Sequence, residues 1–223
     1  MSSHIEDSPR KTDCVRALFF LCLALIFSFL SNAALAAGTP EQTVRDVQRA
    51  IDAKDADGFD HLVDSKRILG SAADLLLAEA NTPNGQLPPM LALMLAAVKD
   101  SRALASLRDL IIREAYAFLH YGIVSGHFSG KPDQSVRPGG ILAYLFSEVS
   151  MGRKELRVAG PSAPDGQERA LLPVVLKEYG NGNIYPLLVR LQWHSPNWRI
   201  VEIVNLPDLW RQIQAEANAY STP

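Results

Sequence analysis

Residues 169–203 read RALLPVVLKEYGNGNIYPLLVRLQWHSPNWRIVEI, and this stretch decides the fold class. Three segments in and around it alternate apolar and polar side chains, as strands with one buried face do: 169–179, 184–194 and 198–205. Asn181-Gly182 predicts a two-residue hairpin turn, because both central positions of such a turn must tolerate positive φ. Ser195-Pro196-Asn197 predicts a second turn, so the sequence predicts a three-stranded antiparallel meander.

The two turns predict which side chains face one another. A two-residue turn gives three pairs on the apolar face: Leu176 with Leu187, Val174 with Val189, and Leu172 with Leu191. A three-residue second turn adds Val189 with Ile203 and Leu191 with Val201 on that face, and Arg190 with Glu202 on the other. A slip by one residue would turn the apolar side chains outward, so the pattern favours this register.

Upstream of the strands, apolar side chains recur at helical spacing. Thr39-Pro40 predicts a helix start, because threonine can cap and proline suits the first turn; Val44, Val47 and Ile51 then mark one face. Further helices are predicted at 59–63, 68–77, 88–98, 101–118, 138–146 and 208–213, and a further strand at 154–160. The helix at 101–118 is expected to bury Leu104, Leu107, Ile111, Ala115 and Phe118. Residues 122–132, with three glycines, are expected to form a mobile stretch.

Helices that cover one face of an antiparallel sheet make an α+β domain. The sequence therefore predicts a single α+β domain over residues 37–223, with N-terminal helices packed on one face of a C-terminal antiparallel sheet.

The amino terminus has the order of a secretory signal peptide. A stretch without charge, 17–30, ends near Ala34-Leu35-Ala36, so residues 1–36 are expected to be cleaved after Ala36. This predicts an exported protein, periplasmic or secreted. The alternative is an uncleaved anchor in the inner membrane formed by residues 17–37, since 21 helical residues at about 1.5 Å each can cross a core of about 30 Å.

Composition excludes several classes of function. The 223 residues carry a formal net charge of −2, so the chain lacks the basic footprint that nucleic-acid binding needs. Both cysteines, Cys14 and Cys22, lie in the N-terminal segment. A cleaved chain would therefore contain no disulfide, thiolate metal site or cysteine nucleophile.

Two groups of residues invite a chemical interpretation. Aspartates surround Gly58 as in a calcium loop, but Ala53 stands where the first ligand is needed and Asp64 replaces the bidentate glutamate. A helix–turn–helix junction without metal is therefore expected.

His120 and His127 lack the spacing of metal ligands and a partner nucleophile, so hydrogen-bonded imidazoles at a helix end are expected. We predict no cofactor, no metal and no catalytic residue.

Candidate ligand-binding residues lie on the apolar face of the predicted sheet and near the glycine-rich stretch: Tyr185, Val189, Leu191, Trp193, His120 and Tyr121. Aromatic rings offer contact area with one polar tip, although core packing explains the same pattern. The run 90–98 is apolar nearly all round. It predicts a buried helix, or one whose spare face contacts lipid, a ligand or another chain.

TVRDVQRAIDAKDADGFDHLV (43–63) and WRIVEI (198–203) resemble the start and end of domains in the nuclear-transport-factor-2-like (cystatin-like) superfamily. LLPVVLK (171–177), PLLVRLQW (186–193) and NW (197–198) are distantly similar to the Mla-type family of periplasmic phospholipid-carrying proteins. The resemblance implies a cone-like fold with a cavity between sheet and helices. Residues 71–120 are an extra helical stretch outside that pattern, and no catalytic residues carry over.

Two functions are therefore expected. The first is an exported, non-enzymatic protein that holds a small apolar ligand, such as a lipid, between sheet and helices. The alternative is an envelope protein–protein interaction module, acting as a homodimer or as a subunit of a complex. Its surface would be the outer sheet face, with Leu171, Val175, Leu188, Trp198 and Ile200 beside Arg190 and Glu202.

Overall fold

A computed structural model describes residues 38–80, 89–136 and 152–220. The helices that precede the sheet are α1 (Pro40–Asp52), α2 (Ala56–Leu62), α3 (Ser65–Glu79), α4 (Pro89–Ala96) and α5 (Ser101–Val124). The strands are β1 (Lys154–Val158), β2 (Ala163–Pro164), β3 (Arg169–Glu178), β4 (Ile184–His194) and β5 (Asn197–Ile203), followed by α6 (Leu206–Tyr220). The antiparallel sheet has the order β1-β3-β4-β5, with β2 paired to β3. The predicted α+β fold is confirmed; the helix predicted at 138–146 lies outside the described residues.

The hairpin between β3 and β4 closes two residues earlier than the sequence predicts. Its observed pairs are Leu176 with Tyr185, Val174 with Leu187, Leu172 with Val189, and Ala170 with Leu191, so the predicted pairs are wrong. The Glu178 N–H donates to the carbonyl of Asn183, which leaves a four-residue loop at 179–182. A shift of two residues keeps each side chain on its predicted face, because side chains alternate with a period of two.

The cause of this shift lies in the backbone of the loop. The Tyr179 N–H donates to the carbonyl of Arg153, next to β1, and the Gly180 N–H donates to the Glu178 carboxylate. The Gly180 N–H is therefore not available to extend the ladder between β3 and β4, whereas the Tyr179 N–H points towards β1 and takes no part in that ladder. Gly182 has a φ of +77°, whereas Asn181 accepts a hydrogen bond from the Asn183 N–H through its side chain.

The hairpin between β4 and β5 confirms two predicted pairs and corrects a third. Val189 faces Ile203 and Arg190 faces Glu202. A register shift between Arg190 and Leu191 then brings Leu191 opposite Ile200 instead of Val201. A bulge of this kind adds one residue to one strand and reverses the face of the residues beyond it. Ile200 therefore lies in the core and Trp198 packs against it, which corrects their predicted place on the outer face.

The main core lies between the apolar face of the sheet and the helices α1 and α2. The sheet contributes mainly Leu172, Val174, Leu187, Val189, Leu191 and Ile200, and the helices contribute mainly Val44, Val47, Ile51 and Phe59. A smaller cluster joins α3, α4 and α5 through Ala73, Leu77, Leu107 and Ile111. Leu104 is exposed, contrary to prediction, because it lies one turn before the part of α5 that this cluster covers.

Residues 122–130 pack closely rather than forming an open loop. α5 continues to Val124, and Ser125, Phe128 and Ser129 are buried. A Cβ atom at Gly122 would lie 2.2 Å from the Phe128 ring, so only glycine allows this contact. Gly122, one of the glycines from which mobility was predicted, therefore allows close packing against Phe128.

The side chain of Gln48 on α1 covers the open edge of β1. Its Oε1 accepts the Leu156 N–H at 2.7 Å, and its Nε2 donates to the Lys154 carbonyl at 3.4 Å. At the other edge of the sheet, the Asp64 N–H donates to the carbonyl of Ile200 at 2.8 Å. Covered edges cannot pair with strands of other chains, which is the usual hazard of an outer strand.

We expect Gln48→Ala to lower the free energy of unfolding by about 1–2 kcal/mol, because the Leu156 N–H loses its partner. Urea denaturation of both proteins measures the difference. Gln42→Ala is the matched control, since the Gln42 side chain bonds only to Asp46 and Arg45 on its own helix. Equal losses in the two variants would show that the edge contact contributes nothing.

Candidate functional site

A polar cluster centred on Asp60 joins α2, α3, α5 and β5. Oδ2 of Asp60 accepts a hydrogen bond from the Tyr116 hydroxyl and lies 2.8 Å from Nε2 of His120. Oδ1 accepts the Ser65 hydroxyl at 3.3 Å. Arg199 of β5 donates through Nη2 to the backbone carbonyl of Asp60 at 3.1 Å. Each oxygen of the Asp60 carboxylate is therefore engaged.

Local sequence explains how these side chains are presented. Tyr116 and His120 stand four residues apart on α5, so they share one helix face, and their ring centroids are 4.3 Å apart. Asp55 caps α2 by accepting the Gly58 N–H, and Asp64 caps α3 by accepting the Arg67 N–H. The aspartates around Gly58 thus include two helix caps. In the part of the chain that the structure describes, no group of three or more His, Cys, Asp or Glu side chains is placed to hold a metal ion.

The Asp60–His120 pair fixes the orientation of the imidazole. An ionised carboxylate only accepts hydrogen bonds, so Nε2 of His120 is the donor in this contact. The His120 side chain is 27% exposed. A carboxylate that orients a histidine is one part of many general-base sites, but a base also needs a substrate or nucleophile within reach.

The hydroxyl of Tyr116 is held in its protonated form. Its hydrogen bond to Asp60, then burial, then the negative charge of Asp60 raise the pKa of Tyr116 to about 12. A folded-state pKa above the ordinary value of about 10 stabilises the fold at lower pH, and this contribution is lost as the pH rises from 10 through 12. At neutral pH the cluster is therefore a closed hydrogen-bonded contact between α2 and α5.

The six candidate ligand-binding residues lie in different surroundings. Val189 and Leu191 are core residues. Tyr185 is buried, and its hydroxyl donates to Glu216 of α6 at 2.8 Å. Trp193 is half-buried, with its ring centroid 5.5 Å from that of Trp198.

The two candidates on α5 have polar partners of their own. His120 contacts Asp60, and the Tyr121 hydroxyl donates to the carbonyl of Val136 at 3.3 Å. Nδ1 of His127 lies 2.7 Å from the Ser125 hydroxyl. Both histidines are hydrogen-bonded, as the sequence predicts. Asp60, Tyr116 and Arg199 were missed, because Asp60 lies 56 residues from Tyr116 and 139 from Arg199, and no local pattern links them.

α4 is the second feature of note, because it is apolar on its packed side and on its open side. Met94, Leu95 and Val98, just after the helix, are half-buried against the cluster of α3 and α5. The residues that face solvent are also apolar: Ala92, Leu93, Ala96 and Ala97, with Leu93 68% exposed. α4 therefore presents apolar side chains both to the neighbouring helices and to solvent.

Comparison of the chain with protein-family models, curated proteins and solved structures finds no match. Within residues 38–80, 89–136 and 152–220, every helix is too short or too polar to cross a bilayer.

We expect Asp60→Asn to lower the pKa of Tyr116 from about 12 towards its ordinary value of about 10, because the acceptor loses its charge. Ultraviolet titration of tyrosinate measures this change, and Tyr116→Phe assigns the transition. Asp57→Asn is the matched control, since Asp57 contributes the smallest part of the shift. An unchanged titration in Asp60→Asn would contradict the hydrogen bond.

Proposed function

We propose that this chain is an exported, non-enzymatic protein that binds a small apolar ligand such as a lipid. The single observation that carries the proposal is α4, eight residues without a polar side chain that leave an apolar side open to solvent. Exposed apolar surface of this kind favours an apolar molecule as partner. The signal-like segment at 1–36 supports export, and the distant resemblance to the Mla-type phospholipid-carrying family suggests the type of ligand.

The smaller cluster beside α4 is the place we propose for the ligand. The apolar face of the sheet is already covered, since Leu172 and Leu191 are 0% exposed beneath α1. By contrast, half-buried side chains surround the cluster of α3, α4 and α5: Leu76, Met94, Leu95, Val98 and Ile112. Methionine adapts its shape readily, which suits a site for a flexible acyl chain.

The Asp60 cluster supports a role without catalysis. The carboxylate accepts hydrogen bonds from Ser65 and Tyr116 and pairs with His120, and the tyrosine hydroxyl stays protonated far above neutral pH. These groups are engaged with one another rather than directed at a substrate. Their role in this proposal is to hold α5 against α2.

We expect native mass spectrometry and lipid extraction of the protein, purified from its own cells, to recover a bound apolar molecule. Val98→Thr keeps the side-chain shape but adds a hydroxyl to the cluster, so occupancy should fall severalfold. Val204→Thr is the matched control, because Val204 is also half-buried but follows β5. Protein that is consistently empty would end the proposal, and equal occupancy in both variants would remove the ligand from this cluster.

A second candidate function is the envelope interaction module. It is favoured by the outer sheet face, where half-buried Leu171 and Leu188 lie beside an ion-pair network in which Arg190 contacts Asp165 and Glu202. Charged groups held in place next to apolar side chains are typical of protein interfaces.

We expect light scattering to give the mass of a dimer if this outer face binds a second copy. Leu188→Lys should then yield a monomer, since it places a charge in the interface, whereas Val124→Lys at the exposed end of α5 should not. A monomer at all concentrations, with no crosslinked partner from the envelope, would exclude the module.

A further inference from the structure

We infer that α4 docks on the surface of an anionic phospholipid bilayer through its open side, formed by Ala92, Leu93, Ala96 and Ala97. This inference deepens the proposed function and rests on it, because it uses the same affinity of α4 for apolar molecules. It adds the class of partner and the surface that meets it.

The first support is the arrangement of α4 itself. Residues 92, 93, 96 and 97 lie on one side of a helix, because positions four apart are neighbours along its surface. The opposite side, with Met94 and Leu95, packs on α3 and α5. Among the large hydrophobic side chains whose exposure the structure describes, Leu93 is the most exposed. An interfacial helix likewise lays one apolar side into the membrane surface; its other face is polar, whereas the other side of α4 is apolar and packs on the protein.

The second support is the charge that follows α4 in the chain. Lys99 and Arg102 follow α4 directly and are exposed. Asp100 stands between them, but its carboxylate caps α5 by accepting the Ala103 N–H at 2.8 Å. The positive end of the helix offsets that negative charge. The junction between α4 and α5 therefore carries excess positive charge, and each basic residue near an anionic membrane strengthens binding about fivefold.

The size of the open side separates a bilayer from a second copy of the chain. A stable protein interface buries about 800 Å² on each partner and uses about 20–30 residues. The open side of α4 offers four residues, three of them alanine, which give little shape for a protein to recognise. A bilayer interface needs no complementary shape and accepts a single leucine. At about 12 Å, an eight-residue helix lies in the interface rather than crossing it.

The test uses nitroxide labels and the full chain with Cys14→Ser and Cys22→Ser, so that each label has one attachment site. Leu93→Cys carries the label in the proposed contact. Val124→Cys is the matched control, because Val124 is 45% exposed at the opposite end of α5. The probe surface is a vesicle of phosphatidylcholine and phosphatidylglycerol. Accessibility of the label to oxygen and to a water-soluble nickel complex reports its depth.

We expect the label at residue 93 to be severalfold more accessible to oxygen than to nickel, and the label at 124 to stay in water. With pure phosphatidylcholine, or with Lys99→Gln and Arg102→Gln together, the population of immersed label should fall about 25-fold, the product of two fivefold effects. A label at 93 as exposed to water as that at 124 would overturn the docking. Equal immersion on neutral vesicles would overturn the choice of an anionic surface.

The same experiment separates this inference from the proposed function. If lipid is extracted from the purified protein but the label at residue 93 stays in water, the ligand-binding proposal stands and the docking is wrong. If the label is immersed but the purified protein is empty, α4 is a membrane contact and the carrier role is wrong.

Discussion

The packing of α1 on the apolar face of the sheet is the contact on which the rest of the structure depends. Val44 and Val47 are 1% exposed, and Leu172 and Leu191 opposite them are fully buried. Burial of one such side chain stabilises the fold by about 1.5–3 kcal/mol, whereas an exposed ion pair contributes about 0–1 kcal/mol. Only with α1 in this position can Gln48 reach the edge of β1. This apolar interface thus forms the core and also places Gln48 where it covers the edge of β1.

α5 connects this core to the peripheral helices. Its carboxyl-terminal half places Phe118, Leu119 and Ile123 in or against the main core, and its amino-terminal half places Leu107 and Ile111 in the smaller cluster. The helix is about 36 Å long, so its amino-terminal half extends beyond the main core to the smaller cluster. The Asp60 cluster fixes it at Tyr116 and His120, between its two ends. The position of α4 therefore follows from a rigid helix rather than from contact with the sheet.

The sequence predicts the elements and their faces better than their exact pairing. Alternation in β3 and β4 identified the buried face correctly, because a two-residue shift preserves parity. The shift itself could not be predicted, since both registers keep the same alternation and the loop is closed by a side chain, the Glu178 carboxylate that accepts the Gly180 N–H. The bulge between Arg190 and Leu191 could not be predicted from the sequence either. Asp60 meets Tyr116 and Arg199 across 56 and 139 residues of chain, so only the fold brings these side chains together.

The apolar residues on the open side of α4 are not needed to pack the fold. An open position on a helix accepts a polar residue at little cost in stability, since no packing is lost there. Leu93 and its neighbouring alanines instead add apolar surface, which makes the chain more prone to self-association. The half-buried side chains beneath them already hold the helix in place. Packing of the helix therefore does not account for Leu93 on the open side, and the apolar partner proposed above would cover this side chain.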